Sequence, residues 1–135
     1  MTTKEFLSRA YKLEKEIRYK TRLLDGLKSR SACSSPVFSD MPKEPHNPKS
    51  LVEYYALRIV EVEHEIMDLQ EELQKARKEI AEAIRTVDNT ELETLLEMRY
   101  LGYLEWNEIS ARFGYVSNYV FRRHRDALRK VRTMR

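Results

Sequence analysis

The sequence predicts an all-α protein, in which a long antiparallel helical hairpin of coiled-coil type precedes a C-terminal three-helix helix-turn-helix unit. Two observations indicate the hairpin. All four prolines among the 135 residues fall between positions 36 and 48, so the rest of the chain lacks the strongest helix breaker. The segments on either side of that stretch carry apolar residues at steps of three and four. A third observation, a set of short apolar segments punctuated by glycines after residue 88, indicates the C-terminal unit.

The predicted first helix runs from about residue 3 to residue 30. Its apolar positions follow a heptad pattern, interrupted once by Lys20, which is typical of a helix packed lengthwise on another helix. These positions are Phe6, Ala10, Leu13, Ile17, Leu24 and Leu27. The Ser- and Pro-rich residues 31–49 then predict a connector. A loop of this length is unusual inside a compact unit, which leaves a mobile segment and a binding segment as its two interpretations.

A second helix is predicted from about residue 50 to residue 87, with Ser50 and Glu53 as a capping box. Its apolar stripe is uninterrupted, and we assign the seam of the hairpin, or of a dimer, to six positions in it. They are Ile59, Val62, Ile66, Leu69, Leu73 and Ile80. Because the first helix is the shorter one, part of the stripe is expected to stay uncovered, and residues 1–88 are expected to form a homodimer. The alternative is that the C-terminal unit covers the remainder within one chain.

Residues 89–135 form the predicted helix-turn-helix unit. Thr90 and Glu93 suggest a capping box for its first helix, and Gly102 is placed to end that helix. A second helix over residues 106–113 ends at Gly114, which permits the left-handed backbone of a turn. Ser117 is the predicted N-cap of a third helix that runs toward residue 132. A generic three-helix bundle is the alternative interpretation.

The third helix has two contrasting faces. Residues 117–135 carry seven Lys or Arg against one acidic residue. At 100° per residue, one side is apolar and packs inward, and the opposite side is a row of arginines. The N-terminal residues of such a helix read base edges, and its later cations contact phosphates. The expected phosphate contacts are Arg123, Arg125, Arg129, Lys130 and Arg132, and the expected base contacts include Ser117, Asn118, Tyr119 and Arg122. A solvated cationic face is the alternative.

The last third of the chain resembles region four of bacterial sigma factors, which recognises the −35 promoter element. It is closer still to small phage proteins of the ArpU type, which regulate late transcription. The similarity rests on the motifs Met98-Arg99-Tyr100, Glu108-Ile109-Ser110 and Ala127-Leu128-Arg129-Lys130-Val131. The resemblance adds Phe121 to the residues expected at the bases. Arg123 departs from it, because an aliphatic residue is usual there, and Glu105 stands where a Ser or Thr cap is common.

We therefore expect a sequence-specific regulator of transcription, encoded by a phage or prophage, that inserts residues 117–132 into the major groove of double-stranded DNA. Host RNA polymerase is a further possible partner, by the resemblance to sigma factors. Nothing resembles sigma region two, so a complete sigma factor is not expected. Two alternatives stay open: a DNA-packaging recognition subunit of the small-terminase type, and a protein-binding inhibitor of a host factor.

Enzymatic chemistry is not expected, and neither is a cofactor or a bound metal. The three histidines lie far apart, the single cysteine Cys33 has no partner for a disulfide, and no Cys or His spacing suits zinc. No Gly-rich phosphate loop or nucleophile motif is present. The absence of a long apolar run or an apolar signal core predicts a cytoplasmic protein without a membrane partner. The resemblance to phage proteins implies that this cytoplasm is that of a bacterial host.

Overall fold

The computed structural model describes residues 1–33 and 48–132, and within these ranges it contains helices and no strands. The all-α prediction is therefore confirmed for the described chain. The helices are α1 (Thr3–Leu7), α2 (Arg9–Cys33), α3 (Pro48–Arg85), α4 (Thr90–Leu96), α5 (Trp106–Phe113) and α6 (Ser117–Lys130), and a π-helical turn, Glu97–Leu101, extends α4. Most of the predicted connector, residues 34–47, lies outside the described residues. No helix in the described ranges is both long enough and apolar enough to cross a membrane.

Internal contacts divide the chain into two compact units. One, which we call the terminal unit, combines Met1–Glu14 with Glu72–Arg135, and the other, the central unit, is Lys15–Glu71. The long helices α2 and α3 contribute to both units. The predicted domain boundary at residue 88 stays a prediction, but packing groups the start of the chain with its C-terminal part.

The first predicted helix is in fact two helices, because the chain turns at Ser8. Thr2 begins α1 with a capping box that the sequence analysis missed: the Glu5 amide donates to Thr2 Oγ1 and the Thr2 amide donates to Glu5 Oε2, both at 3.1 Å. The Ser8 hydroxyl donates to the Lys4 carbonyl at 2.7 Å. The capping box pairs amides at the start of α1, and the Lys4 carbonyl accepts from the Ser8 hydroxyl as well as from the Ser8 amide.

Three predicted N-caps are displaced. Helix α3 begins at Pro48, so Ser50 lies inside it, as expected from the preference of proline for the first helical turn. Asn89 rather than Thr90 caps α4, because Asn89 has the extended backbone of a cap and its Oδ1 accepts the Leu92 amide at 3.1 Å. Val116 occupies the cap of α6 without a side-chain bond, and Ser117 is the first residue of that helix.

In the central unit, α2 packs on the N-terminal half of α3. Leu24, Leu27 and Val62 are buried in one cluster, and Leu23, Tyr55, Ile59 and Ile66 pack against it. Lys20, the polar residue in the apolar stripe of α2, donates to Glu65 Oε2 at 2.8 Å. This hydrogen bond, with the positive charges of Lys20 and Arg58, lowers the pKa of the Glu65 carboxyl. The break in the stripe is therefore a cross-helix contact.

The terminal unit has a core with residues from the start of the chain, from α3 and from α4. Leu7 and Ala10 are fully buried, as are Ile80 and Ile84 of α3 and Leu92 and Leu96 of α4. Arg9 Nη2 lies 3.6 Å from Glu79 Oε2, which links the start of α2 to α3. All six predicted seam residues are buried or partly buried within one chain. Val52, at the start of the same apolar stripe, is 40 % exposed, and the dimer stays a prediction.

The buried position of Leu7 makes α1 a structural part of the terminal unit. We expect Leu7→Ala to lower the free energy of unfolding by about 2–5 kcal/mol, because the cavity left behind adds to the lost transfer energy. Leu51→Ala is the matched control, since the Leu51 side chain is 43 % exposed, and a surface change of this kind costs roughly 0.5 kcal/mol or less. Urea unfolding followed by the fluorescence of Trp106, the single tryptophan, reports on this unit. Equal midpoints for the two variants would contradict the packing of α1.

Candidate nucleic-acid interface

Helices α4, α5 and α6 meet around one small core in the terminal unit. Leu95, Ile109 and Val120 are buried there, with Met98, Leu104, Trp106 and Phe113 packed against them. Between α5 and α6, Gly114 has φ +73° and ψ 24°, the left-handed conformation predicted for it. Its amide donates to the Ser110 carbonyl at 2.9 Å, and the Tyr115 amide donates to the same oxygen at 3.2 Å. The turn closes α5 and sets the direction in which α6 leaves.

The two faces of α6 are as the periodicity predicted. Val120, His124, Ala127 and Val131 are buried and Leu128 is partly buried. On the opposite face Asn118, Arg122, Arg125 and Arg129 are exposed. The other predicted base contacts, Ser117, Tyr119 and Phe121, and the other predicted phosphate contacts, Lys130 and Arg132, are also exposed. Their contact with DNA stays a prediction, but every one of these side chains is accessible to a partner.

Most of the cations on α6 have no internal counter-ion. In the part of the chain that the structure describes, Arg122, Arg125, Arg129 and Lys130 take part in no ion pair. Unpaired guanidinium groups along one helix face create a positive potential that attracts an anionic partner. We call Asn118, Arg122, Arg125 and Arg129 the arginine face.

Arg123 is the exception among the predicted phosphate contacts. It is partly buried, and its Nε and Nη2 each lie 3.1 Å from Glu91 Oε1 on α4. The Tyr115 hydroxyl donates to the other oxygen, Glu91 Oε2, at 3.1 Å, and this bond raises the pKa of Tyr115. Glu91 thus ties the turn and α6 to α4. Arg123 therefore has a carboxylate partner within the chain.

Behind α6 lies an aromatic layer that the sequence analysis did not predict. The Tyr100 hydroxyl is 2.7 Å from His124 Nε2, and the His124 ring packs edge-on against Trp106 with centroids 4.6 Å apart. Phe121 packs on the same indole at 5.3 Å. Burial, with the charges of Lys4 and Arg99, lowers the pKa of His124 to about 4, and burial raises the pKa of Tyr100 to about 12. The inner side of α6 therefore holds a neutral imidazole.

One further contact holds the end of α6. The Arg132 amide donates to Thr86 Oγ1 at 2.8 Å, which fixes the end of α6 beside the end of α3. Glu105 precedes α5 in an extended conformation without a side-chain cap, in agreement with the missing Ser or Thr at that position. Among the described residues, no group of three or more His, Cys, Asp or Glu side chains is placed to hold a metal ion.

Comparison with known proteins found no match among protein-family models, curated proteins or solved structures. The functional argument therefore rests on the residues and their geometry.

The buried Tyr100–His124 pair makes stability depend on pH. His124 has a folded-state pKa of about 4 against an ordinary value of 6.5, so between these values the unfolded chain binds a proton that the folded chain does not. The contribution of the neutral imidazole is present above pH 6.5 and is lost as the pH falls toward 4. We expect a loss on the order of 2 kcal/mol between pH 7.5 and pH 4.5 from this residue.

Replacement of both partners, Tyr100→Phe with His124→Leu, tests that expectation. The double substitution removes the titrating group without leaving an unpaired polar atom, so the fold is expected to survive. Urea unfolding at pH 7.5, 5.5 and 4.5 is then expected to show a shallower pH dependence than in the unmodified protein. An unchanged slope would assign the acid sensitivity to other groups.

Proposed function

We propose that the chain is a sequence-specific regulator of transcription that binds double-stranded DNA through a helix-turn-helix unit. In this proposal α5, the turn at Gly114 and α6 form that unit, and α6 enters the major groove. The observation that supports it most is the arginine face, which is exposed on the side of α6 opposite its buried residues and makes no ion pair with another described residue. A helix of this kind fits the major groove, and its cations meet the phosphates that border the groove.

The proposal divides the exposed side chains by position. The N-terminal residues of α6 contact bases, and Asn118 and Arg122 are suited to adenine and guanine because each forms two hydrogen bonds with one base edge. Arg125, Arg129, Lys130 and Arg132 contact phosphates, which set affinity and register. Ser117, Tyr119 and Phe121 complete the base-facing set. We remove Arg123 from the phosphate set, since its pairing with Glu91 gives it the task of positioning α6.

The resemblance to sigma region four and to ArpU-type phage regulators supports the same class of function. It also makes host RNA polymerase a candidate partner, because region four of sigma factors contacts the polymerase. The protein-binding alternative predicts a different use of the arginine face, in which it grips an acidic protein surface. Loss of DNA selectivity on substitution of Arg122 distinguishes the DNA-binding proposal from this alternative, because binding to an acidic protein surface gives no base preference.

Self-association is proposed through a face of α3 that the chain leaves exposed. Leu57, Val60 and Met67 are 66 %, 50 % and 59 % exposed, and His64 lies between the last two. These positions follow steps of three, four and three, the spacing of a helix-pairing stripe. We call them the outer stripe, and we propose a second copy of the chain as its occupant. Two copies place two arginine faces on one duplex, as paired half-sites require.

The charges beside the outer stripe affect this pairing. Glu53, Asp68 and Glu71 are exposed on α3 near it, whereas the exposed Glu61 is paired with Arg58. Two copies bring such carboxylates together, and salt screens that repulsion. Salt is therefore expected to strengthen self-association, whereas it weakens binding to phosphates by reducing the gain from counterion release.

DNA selectivity is tested by selection from random duplexes at about 0.15 M salt, where non-specific phosphate binding is weakened. We expect an enriched motif with the unmodified protein. Arg122→Ala should relax one base position by about 1–3 kcal/mol, whereas Arg129→Ala should weaken all sequences alike and lower the salt slope by about one. Arg18→Ala, an exposed arginine of α2, is the matched control. A folded protein that enriches no motif would rule out sequence-specific binding.

Association is tested by sedimentation equilibrium at low and at moderate salt. The unmodified chain is expected to be a dimer that tightens with salt. Leu57→Asn with Met67→Gln should give monomers, and Tyr19→Ser is the control because the Tyr19 side chain is 68 % exposed on α2. Monomers of the unmodified chain would exclude the outer stripe as an interface, and a ring of many copies would favour the DNA-packaging alternative.

A further inference from the structure

A cavity of about 570 Å³ lies in the terminal unit, away from the arginine face. Residues from four segments line it: α1, the start of α2, the π-helical turn with the residues after it, and the start of α5. The aromatic side chains that line it are Tyr11, Tyr100, Tyr103 and Trp106. The cations that line it are Lys4 and Arg99. Its volume is in the range of small-molecule sites, roughly 300–1,000 Å³.

The wall of the cavity is held by specific contacts. Arg77 Nη1 donates to the Tyr103 hydroxyl at 2.8 Å and to the Leu101 carbonyl at 3.2 Å. Tyr103 itself has φ +58°, a left-handed backbone that is strained for a residue with a large side chain. At Gly102 a Cβ atom would meet the Met98 carbonyl oxygen at 3.0 Å, so the close passage of the backbone there depends on glycine. Strain that is kept by surrounding bonds is typical of ligand sites.

The side chains in the wall define the chemistry of a ligand. The Arg99 guanidinium lies 4.7 Å from the centre of the Trp106 ring and donates one hydrogen bond to the Leu104 carbonyl at 3.0 Å. This orients the arginine, and Lys4 adds a second positive charge. Glu105 also lines the cavity, so the three ionised groups sum to one net positive charge. Aromatic walls accept a flat apolar ring, and the surplus positive charge accepts one anionic group.

We propose that this cavity binds a small aromatic molecule that carries one carboxylate or phosphate group. The ring packs against the aromatic side chains, of which Tyr11 and Tyr103 contact each other with ring centroids 5.8 Å apart, and the anionic group faces Lys4 and Arg99. Glu105 and Asn107 add hydrogen-bond acceptors to the lining, so a ligand with an N–H or O–H donor gains a further contact. No residue of the arginine face takes part.

Two residues connect the cavity to α6. Tyr100 and Trp106 line the cavity and also pack against His124, and Trp106 packs against Phe121. A ligand that changes the orientation of the Tyr100 and Trp106 rings therefore changes the packing of the inner side of α6. By linkage, a ligand with different affinities for two settings shifts the balance between them. This part of the inference rests on the proposed function, because it makes the cavity an effector site for DNA binding.

The single tryptophan, Trp106, makes occupancy directly measurable. We would titrate the full chain, without DNA, with benzoate, phenyl phosphate, benzamide and inorganic phosphate, and follow Trp106 emission. Saturable changes are expected with benzoate or phenyl phosphate, and their comparison identifies the preferred anionic group. Benzamide, a neutral analogue, and inorganic phosphate, which lacks the ring, should each bind at least tenfold more weakly.

Variants locate the site. Lys4→Ala and Arg99→Gln should each weaken the preferred aromatic anion at least tenfold, and Lys12→Ala, an exposed lysine of α2 outside the cavity, should not. No saturation by any probe, or equal affinity in all variants, would overturn the proposal. Binding of inorganic phosphate as tight as that of the aromatic anions would also overturn it. DNA affinity is then measured with and without the bound probe. Because probe binding is measured without DNA, a protein that does not bind the probe is distinguished from one that does not bind DNA.

Discussion

Burial of one face of α6 is the constraint on which the rest of the terminal unit depends. Val120 and Ala127 are fully enclosed, and His124 is buried beside them. Once these residues face inward, the 100° step of the helix turns the arginine face outward. Ile109 and Leu95 supply the opposing surface, and the left-handed turn at Gly114 gives α6 the angle at which it reaches them. The outward cations are therefore a consequence of the inward packing.

Two polar contacts then fix α6 lengthwise. Near the centre of α6, the Arg123 side chain is bonded to Glu91, and just after the end of α6 the Arg132 amide is bonded to Thr86. A third contact, between Tyr100 and His124, lies in the buried layer. Hydrogen bonds have directional geometry that apolar contacts lack, so they restrict rotation and sliding of the helix. A side chain that reads a base edge depends on such restriction, because its hydrogen bonds tolerate only small displacements.

The sequence predicted what periodicity and backbone chemistry determine. The apolar positions of α3 and α6, the left-handed Gly114 and the missing cap at Glu105 agree with the structure. A predicted helix cap was displaced where the neighbouring residue is also a good N-cap, as with Asn89, which caps α4 in place of Thr90. Periodicity says which face of a helix is apolar and not which partner covers it. For this reason the burial of Leu7 in the terminal unit was not predicted.

The functional details that were missed depend on residues far apart in the chain. Glu91 and Arg123 are 32 positions apart, and the cavity takes side chains from residues 4 to 107. A guanidinium in the sequence shows its charge but not its counter-ion, so Arg123 was grouped with its unpaired neighbours. The helical period places His124 on the inner side of α6. The hydrogen bond of His124 to Tyr100 and its contact with the Trp106 ring could not be predicted, because both depend on how the helices pack.

The central claim, that the arginine face of α6 contacts duplex DNA in the major groove, is tested most directly by methylation interference on a bound duplex. Methylation of guanine N7 modifies the major groove, whereas methylation of adenine N3 modifies the minor groove. The account predicts interference at guanine N7, and loss of that interference at one position with Arg122→Ala. Interference confined to adenine N3, or a guanine pattern unchanged by the substitution, would contradict it.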